Sequence, residues 1–129
     1  MLRLNREEAP RYRHDSITSY LLTSAGTTQS EDLATTLVEM DPGGEQKLHS
    51  HVPEQTYFLL EGAGVMTVEG ETAEVAAGDC IFIPSRASHG LRNTGDSVLR
   101  YYSAASPSFT REQCEKLWPL PSIADQGHA

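Results

Sequence analysis

From Ser16 onward, apolar residues fall in short runs that alternate with polar ones and are cut by turn-forming residues. The runs cover residues 17–22, 34–40, 56–60, 64–69, 72–76, 80–83, 88–93 and 97–103. Between them stand Asp41-Pro42-Gly43-Gly44, Glu61-Gly62, Glu69-Gly70-Glu71, Ala77-Gly78-Asp79 and Asn93-Thr94-Gly95-Asp96. Alternation at period two, bounded by Gly, Pro, Asn and Asp, predicts β-strands. Glu69-Gly70 between two such runs predicts a hairpin, since Gly accepts the positive φ that a two-residue turn demands. No run has helical periodicity until residue 110, and strands at this spacing predict an all-β sandwich or barrel. Near the end, Thr110 can cap a short helix running to about Trp118, with Gln113 completing a capping box and Pro119 and Pro121 ending it. The expected organisation is an N-terminal arm over residues 1–16, a barrel over 17–105, and a C-terminal helix and tail over 106–129.

Composition narrows the picture. Leu, Ile, Val and Phe supply only 26 of 129 residues, and the net charge is −8, values close to those of disordered chains. Their placement argues for order, because 20 of the 26 lie between Ile17 and Leu99. An acidic chain of pI near 5.0 does not suit a nucleic-acid backbone. Four of the ten basic residues, Arg3, Arg6, Arg11 and Arg13, sit in the first thirteen positions and read as a solvated arm. No apolar run approaches a membrane span, and the first residues lack the apolar stretch expected of a signal peptide. Cys80 and Cys114 are too few for a disulfide framework and too far apart for a metal or redox pair. Cys80, inside an apolar run, reads as a core residue, and a reducing cytoplasm is expected.

Candidate chemistry centres on His49-Ser50-His51. Two residues apart in a strand, both imidazoles project to one face, and the same parity carried forward places Gln55, Tyr57 and Leu59 on it. Glu54, Thr56 and Phe58 take the other face, although Pro53 interrupts the extrapolation. His89 follows a second strand unit that runs from Gly78 to Pro84. Histidines at i and i+2 with a third from a distant strand suit a divalent metal; surface histidines near loops are the plain alternative.

The residues around them resemble the cupin superfamily. Its first motif is matched by Gly43, five residues, His49-Ser50-His51, three residues, Gln55, six residues and Gly62. Its second is matched by Gly78, five residues, Pro84, one residue, Arg86 in place of glycine, two residues, His89, three residues and Asn93. The resemblance runs from about Asp41 to Tyr102. It implies a double-stranded β-helix, a small jelly-roll barrel, holding a divalent transition metal (Mn, Fe, Ni or Zn) inside. Position by position, the implied ligands are His49, His51, Gln55 and His89.

Gln55 stands where the family usually has glutamate, and the exchange removes a negative charge from the ligand set. The metal would then be held more weakly, act as a stronger Lewis acid and attract anions more. Glu54 reaching inward would restore the usual set; strand parity and the spacing to Gly62 favour Gln55. The same His, His, Gln, His set occurs in cupins that open unsaturated uronates in pectin breakdown, and a related one in ureidoglycine-hydrolysing cupins. Arg86 is expected only to alter a loop.

Tyr57 and Glu54 are the candidate catalytic residues, moving protons at the mouth of the barrel. Arg100 and Tyr102 share one face of their strand, and Leu99 and Tyr101 the other. If the first pair faces inward, Arg100 is a carboxylate clamp. Met66 and Trp118 read as packing residues. The expected activity is Lewis-acid isomerisation, elimination or hydrolysis of a small, polar and anionic metabolite. An Fe(II)-dependent dioxygenase and a non-catalytic ligand-binding barrel are the alternatives. A homodimer is expected, with the segment 17–22 crossing to the neighbour to cover a sheet edge.

Overall fold

A computed structural model describes residues 1–109, and the helix and tail expected beyond Thr110 lie outside the described residues. Among the described residues ten strands follow a short 3-10 turn at Arg6–Glu8. They are β1 (Arg11–His14), β2 (Ile17–Thr23), β3 (Ala34–Met40), β4 (Glu45–His49) and β5 (Glu54–Glu61). The second half carries β6 (Ala63–Val68), β7 (Glu71–Ala76), β8 (Cys80–Ile83), β9 (His89–Asn93) and β10 (Leu99–Ser106). Six of them form one sheet in the order β1-β2-β3-β10-β5-β8, and four form the other in the order β4-β9-β6-β7. The result is the all-β jelly roll that the sequence predicts.

Local chemistry explains the corners. The β6–β7 hairpin turns on Glu69 (φ 49°) and Gly70 (φ 79°), two successive positive φ values, which is the type I′ turn matched to strand twist. At Asp41-Pro42-Gly43-Gly44 the Gly44 N–H donates to Asp41 O at 2.9 Å. Proline sets the first central residue, and Gly43 (φ 77°) supplies the positive φ of the second, as a type II turn requires. Buried Asn93 locks this corner. Its side-chain amide donates to Met40 O (3.1 Å) and Ser97 O (2.9 Å), while its N–H donates to Gly44 O (2.9 Å). The last residue of the second motif thus holds the first motif's turn.

Between the sheets, Val38, Met40, Leu59, Met66, Ile83, Leu91 and Leu99 form the core with Tyr57 and Tyr101. Met66 packs there as expected. Four expectations are corrected. Residues 1–16 are not a free arm: Arg11–His14 pairs with β2, and Arg6 and Arg11 lie 5.5 and 5.1 Å from the Tyr20 ring, as cation–π contacts. The segment 17–22 does not cross to a neighbour, because β2 sits between β1 and β3 of its own sheet with Tyr20 and Leu21 buried. Cys80 is exposed rather than core, since Ile81 takes the inward parity of β8. A strand at Glu45–His49 was not expected, because Glu45, Lys47 and the exposed Leu48 break the hydrophobic alternation.

Candidate functional site

His49 ends β4 and His89 begins β9, and the register sets them directly opposite each other. Their ring centroids are 4.1 Å apart, and His51 lies 5.8 Å from the first and 4.9 Å from the second. His51 is not on a strand, so the i, i+2 argument does not place it. The loop is stitched instead: Arg86 N–H donates to His51 O at 2.8 Å, and Ser85 Oγ donates to Val52 O. The three histidines offer nitrogens that all lie within 4.8 Å of one another, a group that could hold a metal ion.

Each ring is prepared in the same way. Nδ1 of His49 lies 2.9 Å from Lys47 O, that of His51 2.9 Å from Pro53 O, and that of His89 2.9 Å from Ala87 O. A carbonyl only accepts, so each Nδ1 carries the proton, and in the neutral ring each Nε2 keeps a lone pair. This backbone anchoring is the usual way a metal-binding imidazole is oriented. Burial, helped by the neighbouring histidines, pushes the His89 pKa down to about 4 against the pull of its bond to Ala87. Burial likewise lowers that of His49. Both rings are therefore neutral near pH 7, the form that binds a metal.

Two observations test whether a cation fits. His89 Nε2 is buried and has no hydrogen-bond partner among the described residues, an unusual state for an interior polar atom. Gln55 Oε1 stands 3.0 Å from His51 Nε2, so two acceptors face each other. The amide nitrogen points away from His51 and donates to Ser103 Oγ at 3.2 Å. Ser103 Oγ in turn contacts Thr36 Oγ1 at 2.5 Å, so the hydroxyl pair anchors the glutamine from β10 and β3. A cation among the Nε2 atoms and Oε1 would satisfy all of these groups, and the donor set fits it.

The other expected residues separate. Tyr57 is buried on the cavity wall. Glu54 is exposed and lines a different hollow, with Leu33 and Phe82 on the outer face of β5. Arg100 is no inward clamp. It donates to Glu39 Oε2 from Nε (2.9 Å) and Nη2 (2.6 Å), and its Nη1 pairs with Glu61 Oε1 (2.6 Å). Tyr101 takes the inward face in its place, stacked on Tyr57 at 4.2 Å, while Tyr102 is exposed on the outside. Burial raises the pKa of Tyr57 well above the ordinary phenol value and that of Tyr101 to about 12. Arg86 keeps a glycine-like φ of 67°, so the departure from the motif leaves the turn's conformation in place.

Sequence reading missed Gln46. It lies three residues before His49, the wrong parity for a shared face, yet both line the cavity. A β-bulge between them adds one residue to β4 and turns both inward. No pattern of apolar residues announces that bulge. The cavity measures about 150 Å³, and Ser19, Thr36, Val38, Gln46, Tyr101 and Phe109 also line it. Among the described residues, none that lines it is Lys, Arg, Asp or Glu.

Comparison with known proteins agrees with this architecture. Residues 36–105 match the model of the cupin domain family, and the chain belongs to that family. An uncharacterised protein of Methanocaldococcus jannaschii is 37% identical over 76 residues, 58% of this chain and 61% of that protein. A dimethylsulfoniopropionate lyase of Ruegeria pomeroyi is 38% identical over 79 residues, 60% of this chain and 51% of the lyase. The chain thus spans between about half and three fifths of the length of these relatives. A crystal structure of a predicted oxalate decarboxylase from Thermotoga maritima superposes with a TM-score of 0.73 at 23% identity. That match covers 82% of this chain and 99% of the other, and it shows the fold. Among the described residues, no helix is long and apolar enough to cross a membrane.

Proposed function

We propose that the chain is a metal-dependent enzyme in which His49, His51, His89 and Gln55 hold one divalent ion. Its proposed substrate is a small, oxygen-rich and anionic metabolite, transformed by isomerisation, elimination or hydrolysis. The observation that carries the reading is the convergence of unprotonated ring nitrogens, one of them buried without a partner among the described residues, on a neutral amide oxygen. When bound, the ion would supply a Lewis acid with a net charge close to +2, because all four proposed ligands are neutral.

The chain's own residues set the rest. Ser103 and Thr36 orient Gln55, and the backbone carbonyls fix the histidine tautomers. With no cationic side chain among the described lining residues, an anionic substrate would depend on the ion for charge and on the wall of Gln46 and Tyr101 for hydrogen bonds. A cavity of about 150 Å³ has room only for a small ligand beside the ion. Similarity to a lyase supports elimination among the three chemistries. Of the two expected proton carriers, Tyr57 stays in this proposal as a wall residue, and Glu54 does not, since it faces away. The proposal includes a homodimer in the cytoplasm.

Elemental analysis of protein purified without added metal tests the site. The expected result is about one divalent ion per chain, lost in the His51→Ala variant. Full occupancy in alanine variants of all three histidines would refute it. Oxygen consumption during turnover would move the reading to a dioxygenase; ligand binding with no turnover would leave a binding protein.

A further inference from the structure

The cavity wall away from the histidines is built from two phenols and one amide. Tyr57 on β5 and Tyr101 on β10 are diagonal cross-strand neighbours, because Tyr57 pairs with Ser103 and Tyr101 with Leu59. Their rings stack at 4.2 Å with 22° between planes, and each residue is 1% exposed. By burial and packing the two are equivalent. Gln46 reaches them from the opposite sheet, through the bulge in β4.

Its amide makes them unequal. Tyr57 Oη donates to Gln46 Oε1 at 2.9 Å, whereas Gln46 Nε2 donates to Tyr101 Oη at 3.1 Å. The O–H···O contact is the shorter of the two, in keeping with the usual lengths of the two bond types. The Tyr57 proton is therefore spent inside the wall. The Tyr101 oxygen already accepts an N–H, and among the described residues its hydroxyl has no neighbour to donate to other than the adjacent Tyr57 oxygen, which a ligand oxygen in the cavity would replace.

We propose that Gln46 is a positioning residue that commits the Tyr57 hydroxyl and leaves Tyr101 as the hydrogen-bond donor to an acceptor oxygen of a ligand in the cavity. This rests on reading the cavity as the site of a small oxygen-rich ligand. It specifies that ligand further. The ligand presents a carbonyl, carboxylate or ether oxygen to the wall, and it needs no donor of its own there.

Hydroxyl exchange measured from the deuterium isotope shift on tyrosine ¹³Cζ tests the wall with no metal or ligand present. In the full chain, the Tyr57 hydroxyl is expected to exchange at least about tenfold more slowly than that of Tyr101, the loss of a bond of about 1.5 kcal/mol. In the Gln46→Met variant the two rates converge. Equal or reversed rates in the wild type overturn the assignment.

A second arm titrates pyruvate, whose oxygens only accept, into zinc-loaded protein. Tyr101→Phe is expected to weaken pyruvate about tenfold more than Tyr57→Phe does. No difference between them, or no binding to the zinc-loaded wild type at millimolar pyruvate, overturns the ligand half of the proposal. Unequal exchange rates in a protein that takes up no zinc would refute the metal reading and leave the hydrogen-bond assignment of the wall standing.

Discussion

Gln55 Oε1 and His51 Nε2 face each other at 3.0 Å as two acceptors, held there by bonds on their far sides to Ser103 and to the Pro53 carbonyl. An amide turned end for end would relieve the contact by donating to His51 and accepting from the Ser103 hydroxyl. A cation held by both atoms would relieve it with the amide as it stands. Gln55→Glu is then expected to bind a divalent ion about tenfold more tightly, since a carboxylate attracts it more than an amide does. The same negative charge should lower turnover, by raising the pKa of metal-bound water and weakening capture of an anion. Competition with a chromophoric chelator and steady-state kinetics check the two halves. Unchanged affinity would mean that Gln55 is not a ligand.

If the ion draws the buried His89 nitrogen and its neighbours together, it binds the folded chain alone. Thermal unfolding should then depend on metal, with a stabilisation of about 2.7 kcal/mol when free ion is at a hundred times its dissociation constant. A chelator should abolish the gain. His89→Ala should show none, although its baseline stability also falls, because the ring is fully buried. A gain of equal size in wild type and variant would point to metal bound elsewhere.

Arg86 offers a test of backbone cost. Its φ of 67° suits glycine, and its N–H must stay where it meets His51 O. Arg86→Gly is expected to change stability by no more than about 1 kcal/mol, because relief of strain offsets the greater entropy of the unfolded chain. Arg86→Val should cost at least about 1–2 kcal/mol, as a β-branched residue tolerates this region poorly. It should also lower metal content, because the His51 loop hangs on that hydrogen bond. Denaturant melts and elemental analysis read the two effects separately.

The barrel and the inward parity of Gln55 and Tyr57 were legible in the sequence because both follow from the two-residue repeat and the spacing of turn residues. The repeat says which residues share a face, and the core decides which face is inside. Arg100 and Tyr101 show the limit. They alternate with equal regularity, and Arg100 is outward only because Glu39 and Glu61 wait on neighbouring strands. The bulge that brings Gln46 beside His49 adds one residue to a strand of exposed and half-buried positions. Neither relationship is local, so no window of sequence contains it. The pairing of Arg11–His14 with β2 escaped for the same reason, its polar residues being stabilised by contacts with Tyr20, Thr18 and Asp41.

An outward row of apolar side chains bears on assembly. Phe58 (43% exposed) and Phe82 (58%) lie on the outer face of β5 and β8, with Tyr102 beside Phe58 on β10. A homodimer that covers this face is expected to scatter light at twice 14.1 kDa. Phe82→Glu should return it to a single chain's mass while leaving metal content intact. A wild type of single-chain mass at micromolar concentration would refute the dimer.

The Arg100–Glu39 pair sets an acid limit on stability. Burial alone would raise the Glu39 pKa, but hydrogen bonds from Arg100 and Tyr20, with the charges of Arg100 and Arg6, hold it below the ordinary value of 4.5. A carboxylate whose pKa is lower folded than unfolded stabilises the fold at pH above the unfolded value. That contribution fades as pH falls through the folded value, when both states are protonated. Glu39→Gln keeps the shape and removes the charge, so at pH 7 it should cost about 1 kcal/mol, with solvent screening keeping the loss modest. The wild-type advantage should narrow as the pH drops below 4.5 and vanish once Glu39 is protonated in the folded protein too. Urea melts of both proteins at pH 7, 5 and 3 check this. A difference that stays constant across those three values would show that packing, not charge, is what Glu39 contributes to the sheet.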